Sequence, residues 1–132
     1  MWLKNIEKSF AFIALIALLA VIAYISYITF QNVNQGRIKI SLVKAFPENK
    51  TFLLEVRNVG NFSVSTQKAY LTLPTGEIII GTVELIEIPP GETRDVLVDF
   101  SFYIAVQFVK GETYKLKLVC SHNAADEITF KL

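Results

Sequence analysis

Cysteine and histidine are nearly absent: the 132 residues contain one of each, Cys120 and His122. A single cysteine excludes an intrachain disulfide. A single histidine leaves too few ligands for the usual three- or four-ligand metal site, and a copper centre on a β-sandwich wants two histidines. Net charge is also missing. Of 13 basic and 12 acidic residues, Lys4, Lys8 and Glu7 precede an apolar run, which leaves 11 of each in residues 37–132. So balanced a domain gives no electrostatic reason to bind nucleic acid. There is no glycine-rich phosphate loop, no internal repeat and no low-complexity tract.

The catalytic inventory is correspondingly thin. Cys120 and His122 stand two apart, and a nucleophile pair forms only if a strand continues through both. The simpler reading ends an apolar row at Cys120 and starts a polar loop at Ser121-His122-Asn123. The pairs Asp126-Glu127, Glu84/Glu87 and Asp95/Asp99 are scattered among basic residues and read as solvated strand faces or turns. The expectation is therefore a protein that is not an enzyme, with no cofactor, no metal and no small-molecule substrate.

Charge is absent altogether from Ser9 to Gly36. Phe10–Phe30 as a helix spans roughly 31 Å, close to the hydrocarbon thickness of a bilayer. A secretory signal would have a shorter apolar core and a small-residue cleavage site after it. The sequence YISYITFQNVNQG offers no such site, so the segment is expected to be retained. Lysines before the run and Arg37, Lys39 and Lys44 after it nearly balance, so the positive-inside rule does not set an orientation. Tyr24, Tyr27 and Phe30 at the exit end fit either an interfacial aromatic belt or packing against the following domain.

Small residues within the run keep a period of three: Ala11, Ala14, Ala17, Ala20, Ala23, then Ser26 and Thr29. Three residues fall about 60° short of a full helical turn. The row is thus an inclined packing ridge that winds roughly once round the helix over its length. A pair of helices needs small residues along one face only, whereas a winding row lets several neighbours approach closely. The competing reading is coincidence, because alanine is common in membrane helices.

After the polar exit Gln31–Gly36 the pattern alternates with period two. Phe52, Leu54 and Val56 share a strand face, as do Val96, Val98, Phe100 and Phe102, then Tyr114, Leu116, Leu118 and Cys120, and finally Ile128, Phe130 and Leu132. Earlier strands are expected at Ile38–Leu42, Ala69–Leu73 and Glu77–Val83. Turns fall at Leu73–Glu77, Pro89–Glu92 and Lys110–Glu112. Seven or eight short strands without a second helix pattern predict an antiparallel β-sandwich. The fold class is α+β: residues 1–36 form a hydrophobic helix after the short polar head Met1–Ser9, and residues 37–132 form a surface domain. Asn49-Lys50-Thr51 and Asn61-Phe62-Ser63 fit the glycan acceptor pattern beside turn signals, which favours an exterior domain with Asn49 and Asn61 as glycosylation sites.

Two resemblances sharpen this reading. FLLEVRNVGNFSVS, YLTLPTGEIII and IEIPPGETRDVLVDF look like immunoglobulin-like surface domains, in which an Asn-x-Gly strand end leads to a hairpin and a Pro-Gly-Glu-Thr turn precedes a late strand. The match covers about Arg37 to Phe102 and is one of fold. The whole layout resembles archaeal type IV pilins and archaellum filament subunits, with apolar helices bundled in a filament core and β domains outside. Lys8-Ser9-Phe10 is similar to that family's processing site. With Met1 in the chain, either the head is kept or Met1 is the first mature residue, in which case Glu7 resembles the subunit-docking glutamate near the start of bacterial pilins. The resemblance implies a homopolymer at the cell surface, inserted in the membrane before assembly and serving adhesion. The alternative is a single-pass anchored exterior binding domain, accessory to a surface machine.

Overall fold

A computed structural model describes residues 2–132, with side chains described for residues 5–28 and 35–132. The chain divides into two compact units, Met1–Asn34 and Gln35–Leu132.

The first unit is one helix, α1 (Trp2–Asn34), 33 residues long. It begins well before the apolar run, so the described part of the expected polar head, from Trp2 to Ser9, is helical too. Ile6, Glu7 and Lys8 carry no helix-breaking chemistry, and the Ser9 hydroxyl donates to the Asn5 carbonyl at 3.0 Å, one turn back. The helix ends at Asn34, just ahead of Gly36.

The second unit holds eight antiparallel strands: β1 (Ile38–Phe46), β2 (Thr51–Asn58), β3 (Val64–Thr72), β4 (Ile78–Val83), β5 (Glu87–Ile88), β6 (Thr93–Asp99), β7 (Thr113–Cys120) and β8 (Ala125–Lys131). Their order is β1-β2-β6-β4-β3-β7-β8, with β5 paired to β3. β4 is the corner. Its first half pairs with β3 and its end pairs with β6, so the sheet turns back over one core. Gly81 makes that corner possible: a Cβ there would lie 2.6 Å from the ring of the buried Phe100. The two ends of the sheet also meet, where the Ile40 amide donates to the Asp126 carboxylate at 2.9 Å. The result is a sandwich-like, nearly closed sheet.

The alternating rows fill this core as their period requires. Phe52, Leu54, Val56, Val96, Val98, Leu116 and Leu118 are fully buried, and Phe52 packs its ring against Phe100, Phe108 and Phe130. Ile128, Phe130 and Leu132 are half-buried against it. Phe102 departs from its expected row and is 87% exposed. The strand stops at Asp99, whose carboxylate accepts the Ser101 amide at 2.8 Å and bends the chain away.

The two motifs that carried the immunoglobulin-like resemblance dock on each other. The buried Asn58 side chain donates to the Phe62 and Ile88 carbonyls at 2.6 and 2.8 Å and accepts the Gly60 amide at 3.0 Å. Its backbone carbonyl accepts the Gly91 amide at 2.8 Å, and its amide donates to the Glu92 carbonyl at 3.0 Å. Gly91 takes φ +77°, a conformation that costs glycine little.

Candidate assembly surface

Every side chain of α1 from Asn5 to Ile28 is exposed. This 24-residue stretch is long and apolar enough to cross a membrane. Helix geometry sets its relief. Ala11, Ala14, Ala17, Ala20, Ala23 and Ser26 form a low inclined row, and larger side chains such as Leu15, Leu18, Leu19 and Ile22 stand around it, each more than half exposed. Tyr24 and Tyr27 are 66% and 62% exposed. The side chains of Thr29, the last member of the row, and of Phe30 lie outside the described residues.

Asn49 and Asn61 are both exposed, at opposite ends of β2. Asn49 sits in the turn from β1 to β2, where its amide donates to the Phe46 carbonyl at 3.2 Å. Asn61 follows the Asn58 turn, and its sequon partner Ser63 donates to Glu87 at 3.0 Å. Beside Asn61, the domain receives the incoming chain. Gly36 donates to the His122 carbonyl at 2.8 Å, and a Cβ on Gly36 would come within 3.0 Å of Ala124 and Val64. Beside Asn49, the Lys50 ammonium donates to the Tyr103 carbonyl at 2.7 Å and holds the loop after β6, from which Phe102 and Ile104 project, each 87% exposed.

The cysteine–histidine pair does not form. β7 ends at Cys120, and the chain turns through His122 and Asn123 with φ +58° and +57°. The imidazole stacks on Phe62, 5.6 Å between centroids and 7° between planes. Burial pushes the Cys120 thiol up to about 11, so it stays protonated and poorly nucleophilic at neutral pH. Among the described residues no three His, Cys, Asp or Glu side chains are grouped to hold a metal.

This arrangement suits assembly: an uncovered apolar rod of graded relief, followed by a domain that satisfies its own core. A solved structure shares this fold. A chain of the archaeal flagellum of Methanospirillum hungatei strain JF1 matches with TM-score 0.64 and 12% identity, over 96% of this chain and 92% of that one. The likeness is one of fold. A Bordetella pertussis protein given the name ApaA matches with TM-score 0.41 and 12% identity, over 74% of this chain and 91% of that one, too low a score to support an argument. No protein-family model and no curated protein matches the sequence.

Proposed function

We propose that the chain is a structural subunit of an archaeal type IV pilus-like cell-surface filament. Its apolar helix packs in the core and its β-domain forms the outer surface, where the filament serves adhesion. The supporting observation is the exposed, uncharged and largely apolar surface of α1 from Phe10 to Ile28, which must be covered by lipid or by other helices. The shared fold with an archaeal flagellar chain over 96% of the sequence favours other helices. Before assembly the helix spans a membrane, and afterwards copies of the chain replace the lipid.

In this reading Ala11, Ala14, Ala17, Ala20, Ala23, Ser26 and Thr29 are the points of closest helix approach, and the exposed Asn49 and Asn61 carry glycans on the outer surface. The experiment is to express Ala17→Leu and Leu18→Ile and count filaments while checking membrane levels of the subunit. Overpacking at a close contact costs about 1–3 kcal/mol and recurs at every subunit, so Ala17→Leu suppresses filaments while the volume-conserving Leu18→Ile does not. Normal filaments from Ala17→Leu cells point instead to a lipid-facing anchor with an exterior domain. Intact-mass measurement of the native protein checks the sequons, and a bare polypeptide mass removes that part of the proposal.

A further inference from the structure

One of the two sequons, Asn49-Lys50-Thr51, comes with a place for a sugar to rest. Phe46 and Thr51 are the last Cα partners of the β1–β2 pair. Phe52 is buried, so its neighbour Thr51 points to the outer side of the sheet, and Phe46 opposite it does the same. Between them the chain turns through Pro47, Glu48, Asn49 and Lys50. The Asn49 amide donates to the Phe46 carbonyl at 3.2 Å and the Lys50 amide to the Pro47 carbonyl at 3.3 Å. Lys50 takes φ +55°, a left-handed conformation uncommon outside glycine. Its ammonium is anchored on the Tyr103 and Ile104 carbonyls at 2.7 and 3.2 Å, which holds the turn in this shape.

A hollow of about 270 Å³ opens beside the turn, lined by Ala45, Phe46, Pro47, Glu48, Asn49 and Lys110. It is smaller than the roughly 300–1,000 Å³ of a drug-sized ligand site and suits a single sugar ring. Its lining matches both characters of a sugar. The phenyl ring, the pyrrolidine and a methyl group offer apolar surface, while the Glu48 carboxylate and the Lys110 ammonium can meet hydroxyls. Sugar C–H bonds carry slight positive charge and favour the negative face of an aromatic ring. The Lys44 ammonium lies over Phe46 at 5.0 Å from the centroid, on an exposed, flexible stem that a tethered sugar displaces.

The other sequon differs in each respect. The three residues before Asn61 are Asn58, Val59 and Gly60, with no ring among them. Phe62, which follows it, is stacked on the His122 imidazole with 5.6 Å between centroids. The Ser63 hydroxyl is engaged by Glu87 at 3.0 Å.

We propose that the first sugar of an Asn49-linked glycan lies in this hollow, on the Phe46 ring, and braces the β1–β2 turn, whereas a sugar on Asn61 projects into solvent. Attachment joins the Asn49 Nδ2 to the anomeric carbon of a lipid-linked sugar phosphate. The bond from that carbon to the phosphate oxygen breaks, the lipid phosphate leaves with the electron pair, and Nδ2 gives up one proton to solvent. Covering the ring with the sugar removes apolar surface from water only in the folded turn, so it stabilises the domain. The inference rests on the reading that the sequons carry glycans.

The test uses the full-length chain made by chemical ligation with a single N-acetylglucosamine on Asn49, on Asn61 or on neither, each with and without Phe46→Leu. Thermal unfolding of the β-domain is followed by near-ultraviolet circular dichroism in detergent. The sugar on Asn49 raises the midpoint by about 4 °C, and the sugar on Asn61 leaves it within about 1 °C. With Phe46→Leu the gain from the Asn49 sugar disappears, whatever that substitution does to the unglycosylated chain. Equal gains at the two sequons, or a gain retained by Phe46→Leu, overturn the seat. Peptide mapping of the native protein separates the two claims. A bare Asn49 overturns the glycan reading and this inference with it, while a modified Asn49 with no midpoint shift in the ligated chain overturns the seat alone.

Discussion

In α1, Leu18 and Leu19 are 56% and 57% exposed, while in β7, Leu116 and Leu118 are fully buried. The residue type is the same and the neighbourhoods differ. Each β7 leucine sits in a row of period two, beside its paired strand β3 and in one core cluster with the β2 and β6 rows of the same chain. Fully burying such a side chain is worth about 1.5–3 kcal/mol, so the β-domain accounts for its own stability. Between Phe10 and Ile28 apolar side chains surround α1 on all sides, and an all-round apolar helix belongs in a membrane or inside a larger packed body. Self-sufficiency in one unit and dependence in the other is what the proposed filament subunit requires.

The largest expected effect separates the two units outright. Removing residues 1–34 abolishes assembly and leaves residues 35–132 as a soluble monomer with a β-type circular dichroism spectrum and one cooperative unfolding transition. A fragment that folds only as an oligomer means that the half-buried row Ile128, Phe130 and Leu132 takes a strand from a neighbour. A helical spectrum contradicts the fold.

Core truncation comes next. Phe52→Ala removes a ring packed against three others and destabilises the domain by about 3–5 kcal/mol in denaturant titration. Leu18→Ala leaves that same transition within about 0.5 kcal/mol. Equal losses from both substitutions would erase the contrast between the units.

Alkaline pH gives a smaller effect, confined to the β-domain. The folded thiol of Cys120 holds its proton to about 11, against an ordinary value of 9.0. Its contribution is complete below pH 9 and is lost as pH rises towards 11, because the unfolded chain releases that proton first. The loss amounts to about 3 kcal/mol at most. It is read as the difference between wild type and Cys120→Ala, which lacks this slope. Identical pH profiles for the two would show that burial does not raise this thiol.

The corner strand provides the smallest effect. Gly81→Ala drives a methyl group into the Phe100 ring and costs about 1–3 kcal/mol as the ring shifts. No change in the unfolding midpoint would mean that the β4 corner is looser than the structure has it.

Much of this architecture was legible in the sequence because period is a local property. The uncharged run and the small-residue row marked α1, and alternation marked the rows of β2, β6, β7 and β8. Phe102 continued the β6 alternation and was misplaced, since only the Asp99–Ser101 hydrogen bond reveals that the strand has ended. β5, two residues long, leaves no periodic signal and exists through pairing with Val64 and Ser65. The strand order was hidden for a related reason. Glu55 and Asp95 are 40 positions apart in sequence, and their opposition depends on a register that no local pattern encodes. On the helix, spacing alone located the small-residue row, whereas a partner for it would lie outside the chain.

In the proposed filament, helices of other copies cover α1. Electron cryo-microscopy of filaments purified from cells that express the native chain tests it most directly. The expected map shows a core of bundled helices in which Ala17 meets the surface of an adjacent helix, surrounded by β-domains. Filaments that lack this chain, or a map with α1 outside the core, would contradict it.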